Sequence, residues 1–177
     1  YMGQVMAIDP STGESLWTFK PAVPSDLTSG PALVGDKLYV GGERGYVYVV
    51  SAPDGILLSK FPCGAPVSKS PVGIGDKLLV FPYKSGVQCL NAGEKLSMQW
   101  RHGDATELVS RGTGGLYMLT RDERMACLDE ATGEEKWSMK MPQGLLVASD
   151  PEQAAFYLAS PEGQIVAVGE LDQVRVQ

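Results

Sequence analysis

A six-residue string returns almost unchanged 40 residues further along the chain, and that repetition constrains the fold more than any single side chain. Gly35-Asp36-Lys37-Leu38-Tyr39-Val40 recurs as Gly75-Asp76-Lys77-Leu78-Leu79-Val80. Looser copies stand at Gly115-Leu116-Tyr117-Met118 and Ala155-Phe156-Tyr157-Leu158, themselves 40 residues apart. A turn glycine recurs independently at Gly13, Gly55, Gly93 and Gly133, with spacings of 42, 38 and 40. Two markers that keep step with each other mean one structural unit copied several times.

The clearest copy runs over 30–61. Pro31-Ala32-Leu33-Val34 is a short apolar run stopped by Gly35-Asp36, and Lys37-Leu38-Tyr39-Val40-Gly41 is stopped by Gly42-Glu43-Arg44-Gly45. Tyr46-Val47-Tyr48-Val49-Val50 is dense in β-branched and aromatic residues, which fit a pleated surface. Pro53-Asp54-Gly55 then turns the chain into Ile56-Leu57-Leu58-Ser59-Lys60-Phe61. Four antiparallel strands in about 40 residues make a propeller blade. The fold class expected is therefore all-β, a β-propeller of four-stranded antiparallel blades. Further blades are expected over 70–101, 107–140 and 144–176. Residues 1–20 supply two strands of a partial blade, Gln4–Ile8 and Ser15–Phe19, which match only the third and fourth strands of a unit. That gives about four blades, a partial or half portion of a larger propeller. No helix-period segment competes with this reading, and the 21 glycines and 12 prolines fall between apolar runs, as turns do.

A net charge of −6 argues against a phosphate-binding surface and so against a nucleic-acid partner. No run of about 18 apolar residues offers a transmembrane segment. Aligning the copies on the turn glycine puts Ala7, Val49, Cys89, Cys127 and Ala167 in one column. Ile8, Val50, Leu90, Leu128 and Val168 form the next, followed by Asp9, Ser51, Asn91, Asp129 and Gly169. Small, then aliphatic, then turn-capping is what a packed inner strand needs before an Asx-type turn. Cys89 and Cys127 are thus expected as buried, reduced thiols one repeat apart. Cys63, in the link Phe61-Pro62-Cys63-Gly64-Ala65-Pro66, is expected to be more reachable.

Two of the copies carry a more specific pattern. Ala7-Ile8-Asp9-Pro10-Ser11-Thr12-Gly13-Glu14-Ser15-Leu16-Trp17 and Cys127-Leu128-Asp129-Glu130-Ala131-Thr132-Gly133-Glu134-Glu135-Lys136-Trp137 each place a Trp four residues beyond a Thr-Gly turn. This resembles the repeat of the pyrroloquinoline-quinone (PQQ)-type propellers. The resemblance covers essentially the whole chain, although Leu58 and Ser59 stand where one Trp is due and Trp100 lies seven residues beyond Gly93. It implies that Trp17 and Trp137 are largely buried between neighbouring blades.

Enzymes of that family hold the quinone in a central funnel with a calcium ion bound by carboxylate and amide groups, and carry a disulfide between adjacent cysteines. This chain has no adjacent cysteines. Its repeated acids, Asp9, Asp36, Asp54, Asp76, Glu94, Asp129, Glu134 and Glu162, read as solvated turn caps rather than ligands. Arg121-Asp122-Glu123-Arg124 reads as an exposed hairpin tip. His102, the single histidine, reads as a surface residue of a blade-to-blade connection with no nucleophile assigned to it. No catalytic, cofactor-binding or metal-binding residue is therefore designated. The function expected is a non-catalytic scaffold, using a loop face or a strand edge to bind a protein or peptide partner. The alternative is a fragment or subunit of a PQQ-dependent dehydrogenase, with quinone and calcium as cofactors. Non-enzymatic relatives include the propeller subunit of the bacterial outer-membrane assembly machinery, so the resemblance implies a periplasmic or cell-envelope location. For the assembly, a longer parent propeller is expected first, a homodimeric ring of about eight blades second, and closure of one chain on itself last.

Overall fold

A computed structural model describes residues 3–22, 27–142, 146–148 and 155–169. Among these residues the regular structure is entirely β, and no helix is long and apolar enough to cross a membrane. The chain divides into two compact units, Tyr1–Arg101 and His102–Gln177.

The first unit opens with a two-stranded sheet, β1 (Val5–Ile8) and β2 (Ser15–Phe19). A four-stranded antiparallel meander follows: β3 (Ala32–Val34), β4 (Lys37–Gly41), β5 (Tyr46–Ser51) and β6 (Leu57–Pro62). The next meander comprises β7 (Val72–Ile74), β8 (Lys77–Val80), β9 (Val87–Asn91) and β10 (Ser97–His102). In the second unit β11 (Ala105–Gly112), β12 (Gly115–Thr120), β13 (Arg124–Leu128) and β14 (Glu135–Lys140) form a third. β15 (Leu146–Ala148), β16 (Ala155–Ala159) and β17 (Ile165–Gly169) form a three-stranded sheet. The fourth strand expected for that last sheet lies outside the described residues.

The sequence columns are real cross-strand rows. Tyr39 pairs with Val49 and Val49 with Ser59, while Tyr117 pairs with Cys127 and Cys127 with Trp137. Ala7 faces Trp17, Leu79 faces Cys89, and Tyr157 faces Ala167. Immediately after this row the register slips at Ala7/Ile8, Val49/Val50 and Cys127/Leu128. Each slip leaves one extra residue on the fourth strand, namely Leu16, Leu58 or Lys136. A bulge of this kind bends the edge strand and re-aims its side chains. The turn that follows is the same each time: Gly13 N–H donates to Asp9 O, Gly55 to Ser51 O and Gly133 to Asp129 O, at 2.8, 2.9 and 2.8 Å.

Strand alternation sorts β5 onto two faces. Tyr48 and Val50 pack with Phe19 under Val5 and Trp17 of the two-stranded sheet. Tyr39, Val47 and Val49 pack with Leu78, Val80 and Leu90 of the next meander, along with Cys63 and Val67. Each such fully buried aliphatic side chain contributes about 1.5–3 kcal/mol. In the second unit Val109, Met125 and Met141 pack with Phe156, and the Tyr117 and Phe156 rings lie 5.7 Å apart.

Polar side chains fasten successive repeats of the first unit, each ending on a backbone carbonyl. Trp17 Nε1–H donates to Ala52 O at 3.0 Å, Thr28 Oγ1–H to Val67 O at 2.9 Å and Tyr39 O–H to Gly93 O at 3.3 Å. Gln88 Nε2–H donates back to Cys63 O at 2.9 Å, and the Ser59 hydroxyl donates to Glu94 O.

Trp17 is part-buried against the next repeat, its ring lying on Gly55, where an added Cβ would stand 2.5 Å from Cε3. The other motif tryptophan differs from expectation. Trp137 is 42% exposed and leans on Tyr117 of its own sheet, with ring centroids 6.0 Å apart. The positions that would cover it as Ala52 and Gly55 cover Trp17 fall after residue 169, outside the described residues. Trp100, off the repeat spacing, is 7% exposed. Trp17→Ala is accordingly expected to cost about 2–3 kcal/mol, below the ~3–5 kcal/mol of a fully buried aromatic, by urea denaturation.

Candidate functional site

An antiparallel meander has two ends. In the first full sheet Ala52 N–H donates to Asp36 O at 2.9 Å, which ties the β3–β4 and β5–β6 turns together at one end. Ala92 N–H to Asp76 O, at 2.8 Å, does the same in the next sheet. The repeated acids lie in these turns, except Glu162, which sits in the β16–β17 turn at the other end of its sheet. Asp9 Oδ1 accepts the Ser11 N–H at 2.8 Å, and Asp54 Oδ1 accepts the Ile56 N–H at 3.2 Å. Asp36 pairs with Lys37. The Ser160 hydroxyl beside Glu162 lowers that carboxyl's pKa. Glu134 takes part through its backbone, accepting the Asp129 N–H at 2.8 Å.

Asp129 is the most strongly held. Its Oδ1 accepts the Ala131 and Thr132 N–H groups at 2.9 and 3.0 Å, and its Oδ2 lies 3.1 Å from Lys136 Nζ. Lys136 first, then the two amides, holds the carboxyl down at about 2. A folded-state pKa below the unfolded value near 3.9 gives stability that is present above that value and lost as pH falls towards 2. Asp129→Asn is expected to flatten the acid limb of melting temperature between about pH 4 and pH 2.

Cys63, Cys89 and Cys127 are all buried free thiols. Burial fits the expectation for Cys89 and Cys127 and corrects it for Cys63, which is 5% exposed. The link folds back on the sheet: Cys63 N–H donates to Gly45 O at 2.7 Å and Val67 N–H to Gly42 O at 3.1 Å. Ala65 crowds Gly45 so closely that a Cβ there would meet its backbone at 3.1 Å. Burial pushes the Cys63 thiol up to about 12, so the nucleophilic thiolate is scarce at neutral pH. None of the three cysteines is expected to react with a maleimide until the chain is unfolded, as mass spectrometry would show.

His102 is the last residue of β10, and its side chain is 18% exposed, so it is not the surface loop residue expected. At the Arg121–Arg124 tip, Arg124 N–H donates to Thr120 Oγ1 at 3.0 Å and Glu123 adopts φ 59°. Among the described residues no three His, Cys, Asp or Glu side chains gather as a cation set.

What the sequence reading missed is apolar surface on an open edge. β6 is the last strand of its sheet, and Leu57 (41%) and Leu58 (38%) at its start and Ile56 (58%) just before it are exposed. The signal was present in three consecutive apolar residues, which break the period of two. The bulge at Leu58 puts neighbouring side chains on one surface. Further along, Lys60 lies over the Tyr46 ring at 4.6 Å and Pro62 removes a donor, so only the start of this edge is open to pairing.

Four-stranded antiparallel meanders recurring about every 40 residues are the blades of a propeller of the PQQ-type repeat. The family model described as outer membrane protein assembly factor BamB matches residues 1–116, and the chain belongs to that family. Outer membrane protein assembly factor BamB of Burkholderia pseudomallei is 26% identical over 165 residues, covering 88% of this chain and 42% of that protein. The Shewanella oneidensis protein of the same name is 24% identical over 149 residues, covering 74% and 38%. The chain thus spans about two fifths of the length of these curated relatives. Among solved structures, BamB from Moraxella catarrhalis superposes with a TM-score of 0.74 at 16% identity, over 94% of this chain and 52% of that one. Quinohemoprotein alcohol dehydrogenase from Comamonas testosteroni gives 0.62 at 16% identity, over 95% and 40%. At such identities the structural likeness is one of fold.

Proposed function

We propose that the protein is a non-catalytic propeller scaffold that binds a protein partner and serves outer-membrane protein assembly in the cell envelope, without a cofactor. The observation that carries this reading is the exposed Ile56-Leu57-Leu58 run at the open start of β6. An extended partner segment adding to that edge would gain backbone hydrogen bonds, and the three side chains would give it an apolar footing. Membership of the assembly-factor family supports the choice of process.

The test is made in the host cell. Loss of the protein should lower the amount of folded outer-membrane protein, read by heat-modifiable electrophoretic mobility. A variant carrying Leu57→Asp and Leu58→Asp should fold yet fail to restore it. Unchanged folded outer-membrane protein on loss would refute the process, and full restoration by the variant would refute the surface. Fold likeness to a quinoprotein dehydrogenase supports a second reading, which a spectrum decides. The purified chain mixed with pyrroloquinoline quinone and calcium is expected to retain no chromophore after gel filtration.

A further inference from the structure

His102 stands where β10 ends, three residues before the start of β11. Its Nδ1 accepts a hydrogen bond from the Ala105 backbone N–H at 3.2 Å. A backbone amide can only donate, so Nδ1 must offer a lone pair and the neutral ring carries its proton on Nε2. That Nε2 lies 3.9 Å from Glu135 Oε2 on β14. Glu135 also receives Arg124 Nη2 of β13 at 3.3 Å and the Ser138 hydroxyl. Arg124 in turn shares its charge with Asp122 at 3.8 Å. Arg101 and Asp104 flank the ring in sequence. The two sides of the imidazole therefore make opposite demands. The amide needs a neutral ring, whereas the carboxylate favours a charged one.

The contact holds more than one amide. Ala105 is fully buried and pairs with Thr120. Asp104 O accepts the Arg121 N–H at 2.9 Å, and Gly103 O accepts Arg121 Nη2 at 3.4 Å. The link from His102 to Ala105 is thereby tied to the tip between β12 and β13. A second proton taken from solvent must enter at Nδ1, where it would face the Ala105 N–H donor to donor. A buried amide that loses its acceptor destabilises the arrangement that buries it.

We propose that His102 is a proton-sensitive latch on the β10–β11 link: the neutral ring holds the Ala105 amide and closes the start of β11, and protonation frees that amide while the ring turns to Glu135. The latch is independent of the scaffold reading.

The experiment follows the imidazole nitrogens and the amide exchange of the full chain by NMR from pH 8 to pH 5. At pH 8 the ring should be the Nε2–H tautomer. As it titrates, the protection factor of Ala105 should fall at least tenfold, while that of Met118 in the middle of β12 stays level. His102→Asn supplies an acceptor that cannot gain a proton, and should leave Ala105 protected at both pH values. An Nδ1–H tautomer at pH 8 would overturn the latch. So would an Ala105 protection factor indifferent to the ring, or a pH response that survives His102→Asn. If His102→Asn does not fold, the tautomer and the Ala105 response of the unaltered chain decide.

Discussion

Gly115→Ala should be the most damaging glycine-to-alanine change among the described close approaches, costing about 2–6 kcal/mol. Two penalties add. Gly115 has φ 138°, a conformation that only glycine adopts without strain, and a side chain there costs about 1–3 kcal/mol. A Cβ would also stand 2.2 Å from Leu128 O and 3.3 Å from Cys127 Sγ. The close atom is backbone on the neighbouring strand, so it cannot rotate aside, and overpacking of this kind adds about 1–3 kcal/mol. Gly13→Ala is the matched control. Its φ of 74° lies in the left-handed region, which alanine enters at a smaller cost, and no atom lies within 4 Å of the new methyl. Urea denaturation should show Gly115→Ala losing at least twice as much as Gly13→Ala. Equal losses would mean that the strand spacing at β12–β13 yields easily.

Tyr39→Ala should follow, at about 3–5 kcal/mol. Tyr39 is fully buried and packs on both Val49 of its own sheet and Leu78 of the next, so its removal opens a cavity at the joint between two meanders. Its hydroxyl donates to Gly93 O at 3.3 Å, and burial raises its pKa, so it remains a donor. Tyr39→Phe removes only that bond and should cost about 0.5–1.5 kcal/mol. If the two variants melt together, the joint is held by the hydrogen bond and not by packing.

The strands were legible because they are short apolar runs that stop at turn residues, as at Gly35 and Gly75 with φ 60° and 58°. The column alignment was legible for the same reason, since a constant turn fixes the register behind it. The environments of Cys63 and Trp137 were not. The link that carries Cys63 packs down at Val67 and Ala65 because Gly41 on β4 and Gly45 in the β4–β5 turn lack side chains there, and the composition of the link does not encode that. A Trp four residues past a Thr-Gly turn is placed by its own blade but covered by the next one, so the motif specifies position and not burial. The β6 patch was visible as three apolar letters, but its exposure follows from the bulge and from β6 being last in its sheet. His102 could be placed in a connection, whereas its partner Glu135 on β14 is brought to it only by the fold.

Five side-chain fastenings between repeats of the first unit, from Trp17, Thr28, Tyr39, Ser59 and Gln88, end on a main-chain oxygen. A main-chain oxygen is supplied by all twenty amino acids. The receiving repeat can therefore change its letters freely while the grip stays intact, and the giving repeat needs only some donor that reaches, a Trp in one place and a serine in another. A gene built by copying such a unit meets no matching problem at the moment of duplication, because any copy already accepts any other. Divergence then erodes the sequence likeness between copies long before it loosens the stack, which is how repeats as unlike as those carrying Trp17 and Ser59 can hold the same geometry.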